Sequence, residues 1–269
     1  MSAETHSGNY YIPDPSPWPI ILMVSLLTTL IGAALAMNGV GFGNFLVTGG
    51  LLLFGFLLYG WFRDVIGENL SDCYNKHVDA SFRIGMFWFI ASEVFFFLTF
   101  FGALYYIRAI AVPWLGGEGY LGPTNEILYG GTFEAMWPTS GPGELGGEFT
   151  PMGPWGIPAI NTLLLLSSGA TLTWAHWGLK VDNQKQLIWG LAATIALGLL
   201  FVVLQAYEYG HAYSELNLTL GTGGYGSTFY MLTGFHGFHV TMGAIMLIAI
   251  LGRAMKSHFS AHNHFAFEA

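Results

Sequence analysis

From Trp18 to Phe62 the chain carries no Asp, Glu, Lys or Arg. Few folds can house such a run. A bilayer core of roughly 30 Å is crossed by about 20 apolar residues in helical form. The run is therefore too long for one crossing and has room for two. Met37-Asn38-Gly39-Val40-Gly41 supplies the break, because Asn and Gly accept the backbone angles of a tight turn. The reading is a helix over 18–37 and a second over 43–62.

The rest of the chain repeats the pattern. Apolar stretches at 84–107, 157–178, 186–207 and 227–251 predict four further spans. Only 9% of the residues are charged and 53% are hydrophobic, whereas a soluble domain carries about 25% charged residues. Strands are excluded because a membrane barrel needs short alternating segments. A helix satisfies its own backbone hydrogen bonds in lipid. The predicted fold class is an all-α, polytopic transmembrane helix bundle with six helices visible.

Basic residues set the expected orientation. With the N-terminus inside, Arg63, Lys76, Arg83, Lys180, Lys185, Arg253 and Lys256 fall on the inner side and only Arg108 on the outer. That is seven of the eight Lys and Arg, as the positive-inside rule asks. The organisation follows: an inner tail at 1–17, a two-helix unit at 18–62, an inner loop at 63–83, and a main bundle at 84–269 interrupted by an outer loop at 109–156. Residues 1–17 contain no Lys or Arg, so they lack the positive start of a cleaved signal. The outer loop is rich in Gly and Pro and carries Glu118, Glu126, Glu134, Glu144 and Glu148. It reads either as an ordered cap docked on a partner or as a solvated acidic linker.

Composition also excludes function classes. Eight scattered Lys and Arg and a net charge of −8 make no nucleic-acid footprint. The single cysteine, Cys73, allows no internal disulfide and no multi-cysteine metal site. No phosphate-binding glycine loop, nucleophile elbow or hydrolytic carboxylate pair is present.

Glu93 is the most informative residue. It is the sole charged residue of the third span, and a carboxylate at bilayer depth costs at least about 2.5 kcal/mol on insertion scales. It must be protonated, paired or hydrated, so it marks a functional site or a structural hydrogen bond. His236 and His239 lie at i, i+3 on the last span, sharing one face at a similar depth. A contact between Glu93 and one of these histidines is expected, able to hold or relay a proton. Two histidines are too few for a ligand set, so no metal is assigned. His258, His262 and His264 form a loose cluster near the C-terminal end that reads as a polar surface segment, with metal binding as the alternative. Glu208 reads as a polar residue closing the fifth span. At 61–83, Arg and Trp at headgroup level suit lipid anchoring, against the plainer reading of a solvated loop.

Several strings, in this order, resemble cytochrome c oxidase subunit III of the haem–copper oxidases. They are Trp61-Phe62-Arg63-Asp64-Val65-Ile66; Ser92-Glu93-Val94-Phe95-Phe96-Phe97; Asn161-Thr162-Leu163 leading to Thr173-Trp174-Ala175-His176; Gln205-Ala206-Tyr207-Glu208-Tyr209; Thr233-Gly234-Phe235-His236-Gly237-Phe238-His239-Val240; and His264-Phe265-Ala266-Phe267-Glu268-Ala269. The outer loop with Gly116-Gly117-Glu118-Gly119 looks like that of bacterial members.

The resemblance implies a seven-helix fold in which two helices splay from a larger bundle, leaving a V-shaped cleft filled with phospholipid. This sequence stops where the family continues into its final helix. The resemblance further implies a non-catalytic subunit of an aa3-type oxidase in a bacterial plasma membrane. Such a subunit packs on subunit I and sustains its proton uptake and turnover stability. Haem and copper belong to partner subunits I and II, with none in this chain. Glu93 matches the family's carbodiimide-reactive carboxylate. Trp61, Arg63, Glu68, His77, Arg83 and Arg253 match positions near its bound lipids. The rival is a free-standing proton-coupled transporter or channel working through Glu93, His236 and His239; it predicts inverted repeats or broken helices, which the sequence does not display.

Overall fold

A computed structural model describes residues 11–71, 73–144, 146–260 and 264–268. The described chain is helical, with no strand among these residues. Its elements are α1 (Trp18–Met37), α2 (Phe42–Leu70), α3 (Lys76–Tyr106), α4 (Val112–Leu115), α5 (Gly122–Tyr129), α6 (Ile157–Lys180), α7 (Gln184–Ser214), α8 (Gly223–Met255) and α9 (Phe265–Glu268).

The long helices outrun their apolar windows. The segment expected as an inner loop at 63–83 is mostly helix: α2 continues to Leu70 and α3 begins at Lys76. Charge at Arg63, Asp64 and Glu68 marks where α2 leaves the hydrocarbon, not where its backbone stops bonding. Asn75 then restarts the chain, its Oδ1 accepting from the amides of His77 and Val78 at 3.0 Å each, the usual device for an orphaned first turn. At the far end of α3 a π-helical turn, Ile107–Ala111, precedes Pro113. Proline has no amide to give the carbonyl one turn back, and a wider turn absorbs that loss.

Five helices, α1, α2, α3 with its continuation to Leu115, α7 and α8, are long and apolar enough to cross a membrane. The remaining expected span, α6, has 24 residues, and about 36 Å of helix at 1.5 Å per residue covers the distance. It falls short in hydropathy because it carries Asn161, Ser167, Ser168, Thr171, Thr173 and His176. Part of that polar face is turned onto protein: Asn161 is buried, and the Thr171 and Thr194 hydroxyls lie 2.8 Å apart between α6 and α7.

Contacts divide the chain into two compact units, Met1–Met86 and Phe87–Ala269. In the first, α1 and α2 form an antiparallel hairpin closed by small residues. A Cβ on Gly32 would stand 2.6 Å from the Val47 amide, and one on Gly43 would strike the Ala36 backbone. Backbones that approach this closely exchange dispersion along their length, the main attraction between helices in lipid. Ser25 Oγ donates to the Gly50 carbonyl across the hairpin at 3.0 Å. The opposite faces are bare hydrocarbon: Phe45 and Leu52 are each 72% exposed. A surface of that kind is stable in acyl chains and unstable in water.

At the polar end of this unit, Trp18 Nε1 donates to Asp64 Oδ2 at 2.8 Å. Tyr74 Oη donates to Glu68 Oε2 at 2.7 Å, and the Tyr11 ring lies 5.8 Å from that of Tyr74. Burial first, then the bond to Glu68, raises the Tyr74 phenol above its ordinary value. A phenol that binds its proton more tightly when folded adds stability that is complete below about pH 10, its unfolded value. That stability is lost as pH rises through the raised folded value. Tyr74→Phe should therefore cost about 1–2 kcal/mol at neutral pH. Thermal unfolding in detergent should also show a flatter alkaline decline for the variant than for the parent; identical alkaline profiles would count against the bond.

In the second unit α7 is central, packed by α6 on one side and α8 on the other. Ala175, Leu179, Leu187, Leu191, Ala254 and Phe259 make one buried cluster, against which Ala266 and Phe267 of the C-terminal segment pack. Ala212, Leu218 and Tyr230 make another at the opposite end, covered by Phe149 and Met152. The stretch leading to α6 is thus docked on its own chain. Thr150 N donates to the Leu216 carbonyl and Asn217 Nδ2 to the Glu148 carbonyl, each at 2.9 Å. Phe149 stacks on Tyr225 at 5.4 Å. Over this stretch the loop is no solvated linker: it sits on the α7–α8 turn of its own chain.

Candidate functional site

Glu93 projects from α3 and His239 from α8, and their Oε2 and Nε2 atoms are 2.6 Å apart. Their side chains are 32% and 33% exposed on this chain. The contact is framed by rings. Phe97 lies 5.2 Å from the His239 imidazole, Phe238 5.7 Å and Phe96 6.0 Å. Phe96 and Phe100 pack on Phe235 at 5.0 and 5.4 Å, which fastens α3 to α8 beside the pair.

The second imidazole nitrogen fixes the protonation logic. His239 Nδ1 is 2.6 Å from the Phe235 carbonyl. A carbonyl can only accept, so Nδ1 carries a hydrogen. The short contact at Nε2 then holds one proton. It sits either on Glu93, donated to a neutral imidazole, or on His239, donated to a carboxylate. Both arrangements leave the pair neutral overall, which is what a low-dielectric setting demands. The Phe235 carbonyl holds the ring in place, as an orienting group does for a functional histidine.

His236, the other expected partner, does not meet Glu93. Its ring packs on Phe201 of α7 at 5.6 Å: i, i+3 positions differ by about 60° around a helix of 3.6 residues per turn, enough here to turn one ring to α3 and the other to α7. The shared face expected from the i, i+3 spacing is therefore split between two helix interfaces.

Of the residues expected near lipid, Trp61, Arg63, Glu68, His77 and Arg83 all belong to the first unit. They gather at the end of α2 and the start of α3. Arg63 and His77 are exposed, Trp61 is 40% exposed, Glu68 is held by Tyr74, and Arg83 Nε pairs with Asp79 at 3.0 Å. Arg253 belongs to the second unit, its guanidinium 4.6 Å from the centre of the Phe259 ring.

Other residues stand differently from the sequence reading. Glu208, expected as a helix-end polar group, is 6% exposed. The signal that marks it is the spacing of Phe201, Gln205 and Glu208 on one face of α7. Of the C-terminal histidines, His262 lies outside the described residues, and the His264 ring is 6.5 Å from that of His176. Among the described residues no group of three or more His, Cys, Asp and Glu is gathered for a metal.

Comparison with known proteins agrees with this picture. The family described as "Cytochrome c oxidase subunit III" matches residues 8–123 and 124–269. A cytochrome c oxidase subunit 3 from Cyprinus carpio is 38% identical over 270 residues, covering 100% of this chain and 91% of the relative. One from Latimeria chalumnae is 39% identical over 271 residues, with the same coverage. One from the liverwort Marchantia polymorpha is 38% identical over 261 residues, covering 97% of this chain and 88% of the relative. With the matching family spanning nearly the whole sequence and apolar helices long enough for a bilayer, the chain belongs to the cytochrome c oxidase subunit III family, the multi-pass membrane subunits of a multi-subunit respiratory oxidase.

Proposed function

We propose that this chain is a non-catalytic subunit of an aa3-type oxidase that sustains proton supply to the redox subunit and binds structural phospholipid. The observation that carries the reading is the Glu93–His239 contact at 2.6 Å. It holds one exchangeable proton between two helices of an apolar bundle. A pair of this kind suits holding or relaying a proton and offers no ligand set for a redox metal of its own. Haem and copper then belong to subunits I and II, and the exposed apolar faces of α3, where Val94 and Phe95 are 61% and 66% exposed, are surface for subunit I or lipid. His236 serves as the neighbouring titratable group on α8.

Phospholipid binding is proposed at Trp61, Arg63, Glu68, His77 and Arg83, with Arg253 as a further contact. Two guanidinium groups and an indole at the emergence of α2 and α3 suit a phosphate headgroup. The bias of basic residues supports an N-terminus on the inner side of the membrane, proposed here as the cytoplasmic face of a bacterial plasma membrane.

The test is Glu93→Gln in the intact complex. Gln keeps a hydrogen bond to His239 but cannot exchange a proton with it. Initial electron transfer should stay close to the parent rate, while proton uptake by reconstituted vesicles and the number of turnovers before inactivation should fall. A variant that pumps and survives like the parent would remove Glu93 from the proposal. In parallel, Arg63→Ala with Arg83→Ala should lower the phospholipid retained per complex, measured by mass spectrometry.

A further inference from the structure

The Glu93–His239 contact depends on how α3 is held against α8, and that hold is thin. Between α6 and α7 the backbones approach closely: a Cβ on Gly190 would stand 2.9 Å from the Ala175 Cα. Among the described residues no backbone approach of that kind joins α3 to α8. The two helices meet through side chains. Glu93 lies on His239, Phe96 and Phe100 lie on Phe235, and Ile107 lies against Gly224, where a Cβ would be 3.2 Å from Ile107 Cγ2. These α3 positions recur at steps of three, four and seven, which is one helix face. Between Phe100 and Ile107 the seam opens into a gap of about 140 Å³ beside Ala103 and Met231. One residue of slip turns a helix by about 100° and would carry Glu93 off His239. The seam alone offers little resistance to that rotation.

We propose that the outer segment 112–141 is a strut that pins the outer end of α3 to the start of α8 and so positions Glu93 against His239, with Asn125 and Trp137 as its positioning residues. The segment is tied at both ends and clamped between them. At the α3 end, Val112 N donates to the Ile107 carbonyl across five residues. That π-turn carries the seam face from Ile107 on to Val112, which is 5% exposed. In the middle, Asn125 Nδ2 donates to the Gly116 and Phe133 carbonyls at 3.1 and 3.0 Å, drawing the stretch after α4 onto the stretch after α5. At the α8 end, the Trp137 ring lies 5.7 Å from that of Tyr225, and Tyr225 N donates to the Thr139 carbonyl at 3.4 Å. Gly223, at φ +64°, presses on the Ser140 backbone with no room for a Cβ. The strut, α3, the seam and α8 therefore close a ring, and a closed ring resists the rotation that a seam alone leaves soft. The strut acts on the geometry of the contact; only its consequence for turnover rests on the proton-bearing reading of the pair.

The experiment measures how fast dicyclohexylcarbodiimide modifies Glu93 in the intact oxidase complex, read by mass spectrometry of the peptide that carries it. The reagent takes the proton of a carboxylic acid and bonds to its oxygen. The hydrogen bond to His239 holds that proton, so the paired carboxyl reacts slowly, and His239→Leu sets the rate of the released one. Asn125→Leu with Trp137→Ala should raise the rate several-fold, toward that of His239→Leu, although neither residue touches the pair. Trp137→Phe keeps a ring on Tyr225 and should hold the parent rate. Should the double variant not assemble, Tyr225→Leu removes the Trp137 contact from the α8 side and carries the same expectation. A parent rate in the strut variants beside a fast His239→Leu would overturn the proposal, since the strut would then not reach the pair. A parent rate in His239→Leu would overturn it too, because there would be no contact to position. The labelling reads geometry and the turnover of Glu93→Gln reads proton supply, so either reading can fail without the other.

Discussion

Gly43→Leu is expected to force α1 and α2 apart. The Gly43 Cα faces the Ala36 backbone so closely that a Cβ has no space, and an isobutyl group would need the two helices to separate by a side-chain layer. No side chain can rotate out of the way, because the obstacle is backbone. Overpacking a core costs typically about 1–3 kcal/mol where side chains can give, so this substitution should reach at least about 3 kcal/mol. The separation would also strip the Ser25 bond to Gly50 and unseat the Trp18 ring, which lies directly over Gly60. Gly49 is the internal control, since a Cβ there meets nothing within 4 Å. Limited proteolysis of the 38–41 turn and thermal scans of the purified complex should show Gly43→Leu failing early and Gly49→Leu behaving like the parent. Equal behaviour of the two variants would mean that the hairpin is not held by close backbone approach.

His239→Leu should have the other large effect. It removes the hydrogen-bond partner of Glu93 and leaves a carboxyl among phenylalanines. Breaking a fully buried pair from one side costs about 3–5 kcal/mol. A third of each side chain is accessible here, so a discounted value of about 2 kcal/mol is expected. The double variant Glu93→Leu with His239→Leu replaces both ends by apolar groups and should regain most of that loss. The cycle has a definite sign: the double variant is more stable than His239→Leu alone. Additive losses would show that each residue acts independently and that the contact carries no coupling.

Much of this was legible in the residues. Helix count, helix order and the Asn38-Gly39 turn followed from charge-free runs and turn chemistry, because lipid leaves the backbone so few options. The Glu93 contact was also legible, since an isolated carboxylate in an apolar helix has to find a partner. Which histidine it finds was not. His236 and His239 are chemically alike in sequence, and only the rotation of α8 against α3 and α7 separates them. The extension of α2 through Arg63 and Glu68 escaped for a different reason. Hydropathy reports where a helix leaves hydrocarbon, while hydrogen bonding decides where it ends. Glu208 was read as a helix end because the apolar window stops there, whereas α7 runs on to Ser214. The docking of Thr150 on Leu216 and of Asn217 on Glu148 had no sequence signal, as loop-to-turn backbone contacts leave no periodic trace.

The most direct measurement is to tag this chain, extract the membranes in mild detergent and record the visible spectrum of what the tag retains. The account predicts a haem a spectrum on larger partner polypeptides, with phospholipid bound, and no haem left on the tagged chain once it is stripped from the complex. A tagged chain that emerges alone, or that keeps stoichiometric haem or copper after separation, would contradict it.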